Sequence, residues 1–260
     1  MWWGPRVQCN GRGWLSFDFR GASSSAKLTT AIMVVMLLPS GLFGGALAFA
    51  AKSSPYTLQT NIRSADFGSE LPSADVRHLA DWIAYSRDNG NADFIIVDKR
   101  QARVYVFDAK ARLRGSNPVL LGAARGDDSV PGIGLRPIAE VRPDERTTPA
   151  GRFVAERGRN LKGEDVVWVD YDAAVSMHRV RATKPSEQRL ERLATPTVDD
   201  NRISYGCINV PVAFYETHVR PTVAKNSAIV YVLPEVKPVQ EVFGSYDVAT
   251  VRRQAALKTR

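Results

Sequence analysis

A mainly β domain, largely antiparallel, is what this 260-residue sequence predicts. Two features carry that prediction. Seven short runs rich in Val, Ile, Phe and Tyr fall between residues 93 and 233, separated by Gly, Asn, Asp and Pro. Ahead of them only one stretch, SADVRHLADWIAYSRD, has a clear helical period.

The chain opens on an export signal. Residues 28–51 run without a charge and Lys27 stands just before them, which is the pattern of a signal peptide or membrane anchor. Ala48-Phe49-Ala50 is a small-x-small cleavage pattern, and Pro39, Gly41, Gly44 and Gly45 interrupt the run as a spanning helix. Cleavage after Ala50 is the expectation. The long n-region, with Arg6, Arg12, Arg20 and Lys27, keeps an uncleaved anchor through residues 28–51 as the alternative. Either outcome puts residues 52–260 in the periplasm or cell envelope.

Residues 51–91 read as a linker followed by a helix over 74–88, with Ser73 as N-cap and Val76, Leu79, Ala80, Ile83 and Ala84 on one face. The β-rich runs follow: DFIIVD, ARVYVFD with a turn-like AKARLRG behind it, NPVLLGAA, GRFVAE, DVVWVDY, AAVSMHRV and SAIVYVL. Segment 125–150 is too long for a hairpin connection and predicts a functional or covering loop, with GIGLRP at 132–137 as a turn. A second interruption, 182–201, predicts a short helix through Gln188 to Leu193 and a lid. Pro211 opens a short helix that Pro221 stops. The tail, 234–260, is weakly patterned and basic at its end.

The net charge of +8 falls to +5 once residues 1–50 are set aside. With the basic residues scattered, that is too little for a nucleic-acid binder, although it suits an anionic envelope polymer. Cys9 precedes the apolar segment, so the exported part holds Cys207 alone and a disulfide framework is excluded. No His-x-His or His-Glu-x-x-His occurs, so neither a metal nor another cofactor is expected.

An exported free thiol risks oxidation unless its reactivity is used. In RISYGCINVP, Gly206 removes a side chain beside Cys207 and permits unusual dihedrals. The helix at Pro211 is expected to turn its positive end toward a thiolate. A thiol of ordinary pKa is only a few per cent ionised at neutral pH, so a base is needed. His78 sits in the N-terminal helix and His218 lies beyond the start of the later one. In AAVSMHRV, period-2 alternation puts Val175 and Met177 on one face and Ala174, Ser176 and His178 on the other, which makes His178 the candidate base.

Taken together, SYGCIN, the preceding His178 and the earlier TTPAGRF resemble the L,D-transpeptidase catalytic domain of bacterial cell-wall enzymes over residues 92–233. Ser204, Gly206, Cys207, Ile208 and Asn209 match the family's Ser/Thr-His-Gly-Cys-hydrophobic-Asn/Arg pattern, and Thr148-Pro149-Ala150-Gly151 its Thr-Pro-x-Gly strand entry. The resemblance implies a sandwich-like or barrel-like β fold on which Cys207 attacks a peptidoglycan stem-peptide carbonyl. His178 takes the thiol proton, the Arg179 carbonyl orients the imidazole, and the amides around Gly206 and Cys207 stabilise the oxyanion. Two departures stand out: Tyr205 replaces the usual second histidine, and 25 residues separate His178 from Ser204, more than the family spacer. Tyr205 is expected to orient substrate or donate to an oxyanion, and Arg179 and Arg202 to bind stem carboxylates. Stem peptides are the expected partners of a monomer. The alternatives are a cysteine hydrolase using the same site and a wall-binding module without catalysis.

Overall fold

The computed structural model describes residues 63–224 and 227–258. The apolar segment 28–51 and most of the linker lie outside the described residues. Among those residues no helix is long and apolar enough to cross a membrane.

The first helix, α1 (Ala74–Ser86), starts where Ser73 accepts from the Val76 N–H and ends in left-handed Arg87. Ten strands follow: β1 (Phe94–Asp98), β2 (Arg103–Phe107), β3 (Leu113–Pro118), β4 (Leu121–Gly122), β5 (Gly151–Arg159), β6 (Asp165–Asp170), β7 (Val175–Arg179), β8 (Arg202–Ser204), β9 (Ile208–Val210) and β10 (Ala228–Val232). Eight form one sheet in the order β3-β2-β1-β10-β5-β6-β7-β9, while β4 pairs with β8. A bridge from Leu120 to Asn209 carries the pairing past β9, so the mainly β fold has a near-barrel sheet.

The directions are mixed. Pairs β1/β2, β2/β3, β10/β5, β5/β6 and β6/β7 are antiparallel, whereas β1/β10, β7/β9 and β4/β8 are parallel. Parallel neighbours need long crossovers, and 125–150 and 182–201 lie within those crossovers. Strand β3 lies in the stretch read as a turn and its continuation. The turn itself is confined to residues before Leu113, with left-handed Ala111.

Two apolar clusters sit on opposite faces of the central strands. Ile95, Val97, Val104, Val167, Met177, Ile208 and Val230 pack in one. Phe94, Ile96, Tyr105, Phe107 and Tyr231 pack in the other, beneath Leu79 and Ile83 of α1. Strands β1 and β10 are buried at every position because both faces are covered, which explains their unbroken apolar runs. The C-terminal segment, weakly patterned in sequence, forms α5 (Val239–Phe243) and α6 (Val248–Lys258). Val239 and Val248 join the second cluster.

Within 182–201 a short helix, α2 (Arg189–Ala194), forms. After Pro211 the chain turns helical through α3 (Val212–Phe214), a π segment over Tyr215–Val219 and α4 (Arg220–Thr222). Because β9 and Pro211 intervene, this helical run starts a strand's length beyond Cys207 along the chain.

Candidate active site

Strand β7 is edge-paired with β9, with Met177 opposite Ile208 and His178 opposite Asn209, so the cysteine loop begins one residue from this pairing. Alternation along β7 sends Val175 and Met177 into the core and the opposite face toward the sulfur. From that face Ser176 Oγ lies 3.7 Å from Cys207 Sγ, and in the turn before β7 the carbonyl of left-handed Ala174 accepts from the thiol at 3.7 Å. His178, on the same face of β7, acts electrostatically on the thiol. Its Nδ1 donates to the Arg179 carbonyl at 2.8 Å, which leaves Nε2 for the thiol.

The electrostatics follow from these contacts. Burial pushes the Cys207 thiol up, but the hydrogen bond and charge of His178, with donors from Ser176, outweigh it and hold the thiol below its ordinary value. Burial pushes the imidazole down, while the sulfur and the Arg179 carbonyl bring it above its ordinary value. The pair is therefore biased toward thiolate and imidazolium, and it titrates as a unit.

The cysteine loop is fixed from behind. Ser204 Oγ donates to the Cys207 carbonyl at 2.6 Å and accepts from the Gly206 N–H at 3.1 Å. Asn209 Nδ2 donates to the same carbonyl at 3.1 Å, and its Oδ1 accepts from Arg189 Nη1 of α2 at 2.7 Å. Gly206 has φ +123°, and a Cβ there would stand 2.8 Å from the Thr147 carbonyl oxygen, so both backbone conformation and space demand glycine. Buried Thr148 donates to the Gly206 carbonyl at 2.8 Å and accepts from the Gly122 N–H at 2.9 Å. This joins the TTPAG segment to the nucleophile loop. Loop 125–150 reaches the same region, because a Cβ on Gly134 would clash with the backbone of Asp172 and Ala174.

Several sequence-based roles change. The Gly206 amide already donates to Ser204 Oγ at 3.1 Å and is not free for another acceptor. Arg202 is not open to a stem carboxylate: its side chain is 6% exposed, pairs with Glu235 at 2.6 Å and donates to the Lys99 carbonyl at 2.7 Å. The Arg179 guanidinium is taken up by Glu216 at 2.6 Å and Asp165 at 3.1 Å, over the ring of Tyr215. The Arg179 carbonyl accepts from His178 Nδ1.

His78 bonds Ser245 at 2.9 Å, and His218 packs on Phe214, so neither is paired with the sulfur. Tyr205 is 40% exposed, and the guanidinium of Arg146, which sequence reasoning passed over, lies 3.9 Å from its ring centroid. Arg146 sits inside the covering loop with no motif to flag it.

A cleft of about 300 Å³ opens beside the imidazole, lined by His178, Val180, Arg181, Glu164, Gly163 and Val212. Among the described residues no group of three or more His, Cys, Asp or Glu side chains could hold a metal ion.

No protein-family model and no curated protein matches the chain. Among solved structures it is similar to the helical cell shape determining protein Pgp2 of Campylobacter jejuni: identity is 16%, coverage 56% of this chain and 49% of that one, and the TM-score 0.38. It is similar to an Enterococcus faecium L,D-transpeptidase at 15% identity, with 55% and 50% covered and a TM-score of 0.31. An L,D-transpeptidase of Mycobacterium tuberculosis matches at 15% identity, with 54% and 57% covered and a TM-score of 0.32. The chain spans about half the length of these proteins.

Proposed function

We propose that the chain is an exported L,D-transpeptidase that acts on peptidoglycan stem peptides through a cysteinyl acyl-enzyme. One observation carries the reading. One face of β7 presents Ser176 and His178 beside Cys207, and the Ala174 carbonyl in the turn before the strand accepts from the thiol, with the thiol pKa drawn down and the imidazole pKa drawn up. A buried structural cysteine needs none of these partners, and a wall-binding module has no use for an activated thiolate.

In the proposed reaction the Cys207 thiolate attacks a stem carbonyl and the Cys207 amide bonds the oxyanion. As the tetrahedral intermediate collapses, the C–N bond breaks and His178 Nε2 gives its proton to the departing amine. The stem is left as a thioester. An amine of a second stem then attacks, His178 takes the proton of the attacking nitrogen, and the thiolate leaves with the cross-link formed. Ser204 and Asn209 keep the Cys207 carbonyl fixed through these steps, and Arg189 connects that anchor to α2.

The test is incubation of residues 52–260 with purified disaccharide-tetrapeptide, with products resolved by mass spectrometry. Cross-linked dimers are expected. Release of the terminal residue without dimers would make the protein a hydrolase with the same site. Unchanged substrate would remove the proposal.

A further inference from the structure

The arginines that sequence singled out are neutralised: Arg179 by Asp165 and Glu216, and Arg202 by Glu235. Arg189 on the insertion is likewise paired, with Glu187 at 2.5 Å. Arg146 differs. Its Nε and Nη2 both donate to the Val141 carbonyl at 3.3 and 3.1 Å, and no carboxylate among the described residues lies within ion-pair reach.

Its position is rigid. The Arg146 carbonyl accepts from the Ala124 N–H at 3.1 Å, and Gly122 packs so closely on that oxygen that a Cβ would stand 2.2 Å from it. The next residue, Thr147, presses on Gly206, and Thr148 bonds the Gly206 carbonyl. Tyr205 supplies a π face to the guanidinium, and the phenol hydroxyl makes no hydrogen bond among the described residues. Tyr205 is two residues from Cys207, at most about 7 Å along the chain, so the Arg146 cation is stacked from the covering loop onto the loop that carries the sulfur. An arginine held by a carbonyl and a ring, with its charge unanswered, is a receptor prepared for an anion.

We propose that Arg146, seated on Tyr205, binds a substrate carboxylate within one residue of the scissile bond and so selects stems that carry a free carboxylate there. The inference rests on the transpeptidase reading and gives that site a specificity. The free α-carboxylate of the departing residue and the side-chain carboxylate of a diaminopimelate both meet the requirement.

Calorimetric binding to Cys207→Ala, which does not turn over, tests it. Three synthetic tetrapeptide stems are compared: one with both carboxylates, one with a C-terminal carboxamide and one with the diaminopimelate side chain amidated. One amidation should weaken binding by roughly 10- to 100-fold, the worth of a charge-assisted bond, and its identity names the carboxylate. Adding Arg146→Met should erase that difference. Tyr205→Phe, which keeps the ring face, should retain it. Equal binding of all three stems, or discrimination unchanged by Arg146→Met, overturns the role of Arg146 alone. If none of the stems binds, the substrate reading falls and the carboxylate subsite with it.

Discussion

Replacing Thr148 by valine removes one buried hydroxyl while conserving shape. The Thr148 side chain is fully buried, and its oxygen serves two backbone groups, the Gly206 carbonyl at 2.8 Å and the Gly122 N–H at 2.9 Å. In Thr148→Val both lose their partner. Gly122 is wedged against the Arg146 carbonyl, so no space opens beside its Cα for a replacement water. Each orphaned buried group costs about 1–3 kcal/mol, so the variant should lose about 2–6 kcal/mol. That is a large part of the ~5–15 kcal/mol that holds a domain of this size. Thr148→Ser keeps the hydroxyl and loses one methyl, worth about 1 kcal/mol. Urea denaturation of wild type, Val and Ser variants measures the difference. Because the Gly206 carbonyl is then free to swing, acylation of Cys207 should also slow by roughly 10-fold or more in the valine variant. A valine variant within about 0.5 kcal/mol of wild type, or a serine variant as unstable as the valine one, would refute the reasoning.

The Cys207–His178 pair sets a pH window. With the thiol pKa lowered and the imidazole pKa raised, transpeptidation should fail as pH falls through the thiol's value and again as it rises through the imidazole's, where the proton for the departing amine is lost. In His178→Ala, burial acts on the thiol without its partner, so the inflection for iodoacetamide alkylation should move upward. A superimposable profile would exclude the pairing. Asp127 tests the frame behind the site. Burial pushes its carboxyl up, but the Lys237 and Glu235 N–H donors and Lys99 outweigh this and hold it at about 2, below the usual 3.8. Its contribution is therefore full above about pH 4 and lost as pH falls toward 2, and Asp127→Asn should cost about 2 kcal/mol at pH 7. The denaturation gap between wild type and variant should close near pH 2; a gap independent of pH would refute the assignment.

Much of this was legible in sequence where period and burial coincide. Alternation in AAVSMHRV separated Val175 and Met177 from Ala174, Ser176 and His178; the structure packs Val175 and Met177 in the core and sets Ser176 beside the sulfur, while Ala174 lies in the turn before β7 and offers only its carbonyl. Ser73 and the apolar spacing of 76–84 marked α1. Strands β8 and β9 span three residues each, too few to show a period, and their parallel pairing depends on partners distant in sequence. The C-terminal helices escaped notice because α5 is only five residues long and α6 buries little more than Val248. Arginine roles were the least legible. Whether Arg179 or Arg202 meets a substrate depends on acids dozens of residues away, Glu216 and Glu235, that only folding brings near.

Transpeptidation through Cys207 requires a covalent intermediate on its sulfur. Wild type and Cys207→Ala should be mixed with a tetrapeptide stem in the absence of acceptor, quenched in acid after short delays, and read by intact mass. The predicted result is a wild-type adduct equal to the stem minus its terminal residue, mapped by peptide digestion to Cys207 and absent from the alanine variant. Stem turnover with no such adduct, or an adduct that persists in Cys207→Ala, would contradict it.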